Sequence, residues 1–357
     1  MDGQKSTISY FYAVIVASIV CSMGLYFYSG WIGVFQGNTL TLLELSLSFD
    51  NAVVNAIILA NMTLFWRKAF ITWGMIIAVF GMRLLFPIII VMTTTGLGAY
   101  EAFDLSLHHP VEYQMAIEKT HHILMSFGGI FLLMVFFTFL FDDKKEHHWI
   151  APIEKMASKW AGTGEIKVAI VLILSLIIYK ISPTQIKIGN EVIQNADGQI
   201  LVGAIMGIAL FVIMELVRGA IEGKEDDNEV DALKSNPNLV RGSFASFLYL
   251  EMIDASFSFD GVLGAFAITQ NLIIMMVGLG IGAFAVRSLT LLMVDRKTVA
   301  EYKYLEHGAM WSIGLLAGSM LVQIFYHLPE WLITAFAILP ISAAFIHSRA
   351  IRKALAS

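Results

Sequence analysis

Glu44-Leu-Ser-Leu-Ser-Phe-Asp50-Asn51 sets two carboxylates and an amide inside a run of apolar residues, and Glu251-Met-Ile-Asp254-Ala-Ser-Phe-Ser-Phe-Asp260 sets three carboxylates inside another in the second half of the chain. Laid over one another at an offset of 254 − 44 = 210, stretches 44–50 and 254–260 agree at five of seven positions when Glu is counted with Asp. The likeness continues downstream. Gly74 precedes Arg83 by nine residues, as Gly278 precedes Arg287, and His122 precedes Gly129 by seven, as His307 precedes Gly314. The order acidic helix, arginine helix, histidine helix therefore occurs twice, the signature of an internal repeat.

The medium around these motifs follows from composition. Of 357 residues, 57% are hydrophobic and 14% charged, against about 25% charged in soluble domains. Mean hydropathy is +0.74. A spanning helix needs roughly 20 mostly apolar residues. Ten segments qualify: 8–29, 40–62, 69–92, 121–141, 166–181, 200–221, 244–268, 272–294, 310–326 and 331–346. The fold class expected is all-α and polytopic. Seventeen of the 23 Lys and Arg fall in connections on one side, Arg67, Lys68, Arg349 and Arg352 among them, while Lys119, Lys180 and Lys187 fall on the other. By the positive-inside rule both termini are cytoplasmic, in a bacterial plasma (inner) membrane. Ser18-Ile19-Val20-Cys21 has only a faint likeness to a lipoprotein cleavage box, and the apolar run continues past it, so the segment reads as an uncleaved first span. With Cys21 the single cysteine, no intrachain disulfide or paired-thiolate metal site can form. The net charge of −5, without a basic patch, argues against nucleic acid as a partner.

Ten spans divided five and five place the halves in opposite orientations. This is an inverted-topology repeat, an architecture whose binding sites lie near the bilayer midplane between the repeats. Residues 1–181 form the first repeat, 182–199 an outer connection, and 200–357 the second repeat with an acidic cytoplasmic linker at 222–240. The connection 93–119 is long, acidic and His-bearing.

A charge at mid-bilayer costs about 2.5–3.5 kcal/mol on insertion scales. Glu44, Asp50, Glu251, Asp254 and Asp260 would together cost on the order of 12–17 kcal/mol if ionised and unpaired. Arg83 and Arg287 can neutralise two of them as counter-charges or gating groups, and the rest must be protonated or hold a cation. On an ideal helix Glu44 and Asn51 are about 20° apart, whereas Asp50 lies about 120° from Glu44. One straight helix cannot aim them all at one ion. Unwinding near Ser46–Ser48 and Ser256–Ser258 is therefore expected, freeing carbonyls as ligands. Carboxylates, amides and carbonyls are hard donors that suit Mg²⁺, Ca²⁺ or Mn²⁺ better than Zn²⁺ or Cu⁺. His122 and His307, at helix starts, are candidates for a proton relay. His108, His109, His147 and His148 fall in connections and make weaker metal candidates.

These motifs resemble the signatures of the TerC family of integral membrane proteins, within the LysE-type transporter superfamily. Glu44-Leu-Ser-Leu-Ser-Phe-Asp50-Asn51 fits the first signature, Glu-x-x-Leu-Ser-x-Asp-Asn, and the second is fitted up to Gly261, where the family usually has Ser. Leu305-Glu-His-Gly-Ala309 is also similar to a family segment. The long connection 93–119 points to a divergent branch. The resemblance implies divalent metal handling, manganese export foremost, with a link to tellurium resistance. It makes Glu44, Asp50, Asn51, Glu251, Asp254 and Asp260 the metal ligands. The expected function is secondary transport of a divalent cation as substrate, with no resident cofactor, no enzymatic activity and the lipid bilayer as partner; homo-oligomerisation is left open. The alternatives are a metal-binding scaffold or sensor and a membrane metal-dependent enzyme. Against the enzyme, the chain has no nucleophile motif, phosphate loop or His-Glu-x-x-His run.

Overall fold

The computed structural model describes residues 6–60, 62–143, 145, 147–159, 165–188, 191–194, 196–222, 244–266, 268–269, 271–296, 302–326 and 328–356; some side chains within these stretches, those of Asp50 and Asp260 included, fall outside the description. Most of the acidic linker, 223–240, also lies outside the described residues.

In chain order the elements are α1 (Thr7–Leu47), α2 (Phe49–Ala60), α3 (Leu64–Ile76), a π-helix (Ile77–Leu85), α4 (Phe86–Thr95), α5 (Ala99–His108) and α6 (Pro110–Glu118). Next come α7 (His121–Leu140), α8 (Ala151–Ser158), α9 (Glu165–Ile181), β1 (Gln185–Ile188), β2 (Glu191–Gln194) and α10 (Ala196–Glu222). The last four are α11 (Phe244–Phe266), α12 (Leu272–Asp295), α13 (Leu305–Gln323) and α14 (Glu330–Ala356). Among the described residues five helices are long and apolar enough to cross a membrane: Thr7–Leu47, His121–Leu140, Ala196–Leu216, Leu272–Asp295 and Trp331–Lys353. The chain is a polytopic helical membrane protein.

Three features depart from the expected pattern. First, α1 is one 41-residue element kinked at Ser29 and Gly30, and Gly30 takes φ 66, a left-handed value that costs glycine little. Second, the expected unwinding is found in one motif only, and there in reduced form. The chain breaks at Ser48 (φ −105, ψ 16) for a single residue. The backbone bonds Ser48 N–H to Glu44 carbonyl (2.9 Å) and Ala52 N–H to Ser48 carbonyl (3.1 Å) bridge the break. Helix α11 runs through 256–258 without interruption, so no carbonyl is freed there. Third, one connection between the helices carries a short hairpin. β1 and β2 pair antiparallel, Gln185 opposite Gln194, between α9 and α10. Their β-branched alternation around a Gly-Asn pair is a hairpin signal.

The chain forms two compact units, each drawn from two separated stretches: Met1–Glu118 with Ile221–Thr298, and Lys119–Ala220 with Val299–Ser357. In the first, α1 packs along α12. Thr41 donates to the Gly278 carbonyl at 3.0 Å. A Cβ on Gly278 would stand 2.6 Å from Leu40 Cβ and 2.7 Å from the Gly37 carbonyl oxygen, and one on Gly282 would stand 2.7 Å from Glu44 Cγ. Glycines four apart on one face let two helices approach closely in lipid. That approach seats Glu44 against α12. In the second unit α7 packs against α13, and α13 against α14. Buried side chains surround α7 on every face, as for a helix enclosed by others.

Candidate cation site

The first unit gathers the acidic and arginine helices around a small cavity lined by Glu44, Ser48, Asn51, Ala78, Arg83, Asp254, Ala283 and Arg287. Its volume is about 20 Å³, comparable to the space a water-sized body needs.

Glu44 is buried near the end of α1. One of its carboxylate oxygens accepts from Arg83 Nη2 and from the Ser48 hydroxyl, the latter at 2.9 Å. The Ser48 bond spans four residues across the helix break, where a short polar side chain competes with regular helix geometry. Arg83 belongs to the nine-residue π-helix, a form that is rare and frequent at functional positions. Its Nη1 donates to the Ala78 carbonyl at 2.6 Å, five residues back. The guanidinium thus satisfies a carbonyl within its own widened turn.

Asp254 is the second centre. Its Oδ1 accepts from Asn51 Nδ2 at 2.5 Å and Asn55 Nδ2 at 2.8 Å. Its Oδ2 accepts from Arg287 Nη2 at 3.0 Å, and Glu251 Oε1 lies 3.5 Å from that nitrogen. Arg287 Nη1 donates to the Phe70 carbonyl, and the guanidinium carbon sits 4.0 Å from the centre of the Phe70 ring. Gly74 leaves room for this: a Cβ there would collide with Arg287 and Glu251. Three described carboxyl groups thus face two guanidiniums.

Among the described residues, three acceptor oxygens around this cluster have no hydrogen-bond donor: Asn51 Oδ1, Asn55 Oδ1 and Glu251 Oε2. Their residues are 6%, 1% and 6% exposed. Buried acceptors are nearly always satisfied, by protein, water or an ion, so three together mark this cluster as unusual. Among the described residues no group of three or more His, Cys, Asp or Glu is placed to hold a metal ion.

Residues 49–354 match the model of the family described as Protein of unknown function (DUF475). The chain belongs to that family. The matched stretch of this DUF475 protein takes in Asn51, Asn55, Arg83, Glu251, Asp254 and Arg287, and starts after Glu44 and Ser48. A relative in Bacillus subtilis, the uncharacterized membrane protein YceF, is 31% identical over 126 residues, 32% of this chain and 47% of that protein. The chain spans about half the length of that curated relative. No solved structure matches.

Of the site residues read from sequence, Glu44, Asn51, Glu251, Asp254, Arg83 and Arg287 meet in the first unit. The side chains of Asp50 and Asp260 lie outside the described set. Sequence reasoning passed over Asn55, although an amide four residues after Asn51 in an apolar helix was a signal. It also passed over the Phe70 and Ala78 carbonyls, which carry no side-chain signature.

His122 and His307 belong to the second unit. His122 is buried, and its Nδ1 has no hydrogen-bond partner. His307 Nδ1 lies 3.1 Å from an oxygen of Glu154, a fully buried carboxylate on α8 that sequence reasoning did not single out. Glu154 also accepts from the Trp311 indole at 3.0 Å and the Trp149 N–H at 3.1 Å, while His148 Nδ1 lies 3.5 Å away. Burial alone would push this carboxyl up, but the Trp311 indole, His307 and the Ile150 N–H outweigh it and hold it below the usual carboxylate range.

Two tests follow from these contacts. Asp254→Ala strands a buried guanidinium and two amides, and a stability loss of about 3–5 kcal/mol is expected. Asn55→Ala is expected to cost about 1–2 kcal/mol, and the double variant less than the sum, read by chemical denaturation in detergent. Glu154 has a folded pKa below its unfolded one, so its contribution is complete above the ordinary carboxylate value of 4.5 and is lost as pH falls below it. The gap in Tm between wild type and Glu154→Gln is expected to be widest near neutral pH and to close in acid.

Proposed function

We propose that this DUF475 protein is a secondary transporter that exports a divalent metal cation, with manganese the first candidate, through the carboxylate and amide site of its acidic helices. The observation that carries the reading is the set of buried, donorless oxygens of Asn51, Asn55 and Glu251 around Asp254. A packing role would have supplied N–H or O–H donors to them. A cation beside Asp254 would supply the missing positive charge, and Asn51 and Asp254 line one cavity with Glu44 and Ser48. Every donor is a hard oxygen, which favours Mn²⁺, Mg²⁺ or Ca²⁺ over thiophilic metals.

The two motifs and their following arginines support an inverted repeat of five spans plus five, with both termini cytoplasmic. Each repeat contributes an acid–arginine pair to one unit, Glu44 with Arg83 and Asp254 with Arg287. The resemblance of both motifs to TerC signatures adds support for manganese, and extends the ligand set to Asp50 and Asp260. In this reading the ion is substrate and the protein has no resident cofactor and no enzymatic step. Proton antiport or the membrane potential drives export, and His122 and His307 are candidates for proton transfer.

Cells expressing the wild-type chain are expected to tolerate added Mn²⁺ and hold less of it than cells expressing Asp254→Asn, Asp50→Asn or Asp260→Asn. Equal tolerance and equal Mn content across all four would overturn the transport reading. Reconstituted flux of Mn²⁺, Mg²⁺, Ca²⁺ and Zn²⁺ in liposomes separates a transporter from a metal sensor, which binds without flux.

A further inference from the structure

The guanidiniums of Arg83 and Arg287 hold the carboxylate oxygens that a metal ion at this site would need. Arg83 Nη2 is on Glu44 Oε1. Arg287 Nη2 is shared between Asp254 Oδ2 and Glu251 Oε1. The unsatisfied oxygens lie on the other side of the same groups: Glu251 Oε2, and the amide oxygens of Asn51 and Asn55, whose nitrogens are on Asp254 Oδ1. A divalent ion drawn to those oxygens meets a fixed positive charge on the far side of each carboxylate, and at such range in a poorly screened interior the two repel strongly.

Each arginine has somewhere else to go. Arg287 already donates to the Phe70 carbonyl and lies over the Phe70 ring at 4.0 Å, an aromatic face that attracts a cation. Arg83 already donates to the Ala78 carbonyl five residues back in the π-helix, and its Nε has no partner among the described residues. On leaving the carboxylates each guanidinium keeps one carbonyl, and the arriving ion takes over the negative charge it gives up.

We propose that Arg83 and Arg287 act as tethered cations that compete with the metal: a divalent ion takes the carboxylates as each guanidinium withdraws onto its own carbonyl, and the guanidiniums return as the ion leaves. This rests on the cation-site reading above and adds to it how the site releases its ion. The acids never remain bare between cycles, so the transporter need not hold metal tightly to stay folded. Each repeat carries one such competitor, so the ion's passage between the halves exchanges one arginine for the other.

The test is Mn²⁺ binding to the full-length chain in nanodiscs, read from the loss of the free Mn²⁺ paramagnetic resonance signal. Arg287→Gln and Arg83→Gln are expected to bind Mn²⁺ about tenfold more tightly than wild type, the scale of one charged hydrogen bond no longer displaced. Removing a positive charge would alone favour a cation, so two further measurements isolate competition. Arg287→Lys keeps the charge without the forked contact and is expected to bind with intermediate affinity. Methylguanidinium added to Arg287→Gly is expected to raise the Mn²⁺ Kd competitively while leaving wild type unchanged. Equal or weaker Mn²⁺ binding in folded Gln variants, beside measurable binding in wild type, would overturn the competition and leave the cation site standing. Absence of binding in wild type and all variants would overturn both.

Discussion

A charge placed among apolar helices must keep a partner, and the first unit is organised around that requirement. Arg287 on α12 ties down Glu251 and Asp254 on α11 and reaches the Phe70 carbonyl on α3. Arg83 in the π-helix ties down Glu44 on α1. Removing one member of a buried pair leaves an uncompensated charge, a loss of about 3–5 kcal/mol. The glycines of α12 belong to the same arrangement. They bring α1 close enough for Glu44 to sit beside α12 rather than in lipid, which is the arrangement membrane helices adopt when small residues line their contact.

Stability alone does not explain the cluster. Well-packed apolar residues commonly match or exceed a buried ion pair, and nothing in folding demands a nine-residue π-helix at Arg83 or a broken helix at Ser48. Such irregularities persist where surrounding structure enforces them, and they concentrate at functional positions. Here both fall at the lining of the same cavity. Beside them, three buried acceptor oxygens and one buried donor, Arg83 Nε, have no hydrogen-bond partner among the described residues. Packing, irregular backbone and unsatisfied polarity coincide in the first unit.

The sequence was most legible where charge stood against an apolar background. Glu44, Glu251, Asp254, Arg83 and Arg287 each broke an apolar run, and all meet in one unit although 44 and 287 are far apart in the chain. Backbone contributions were hidden, because the Phe70 and Ala78 carbonyls look like those of any other residue. The two Ser-x-Ser stretches looked alike but behave differently. Ser48 bonds Glu44 and breaks its helix. In α11 the corresponding acid, Asp254, is one methylene shorter and already held by Asn51, Asn55 and Arg287, and the helix runs on. Glu154 was missed for a different reason. In a polar connection a lone Glu reads as solvated, and only the packing of α8 shows that indole, imidazole and backbone donors enclose it.

The central claim is that a divalent ion rests among the oxygens of Asp254, Glu251, Asn51 and Asn55. The most direct measurement is a structure determined with Mn²⁺ present, with data collected at the manganese absorption edge. The account requires an anomalous peak bound by Asp254 and at least one of the Asn51 and Asn55 amide oxygens, at about 2.0–2.6 Å as for hard-cation ligands. A structure in which both guanidiniums keep their carboxylates and manganese is found only in the outer connections would contradict it.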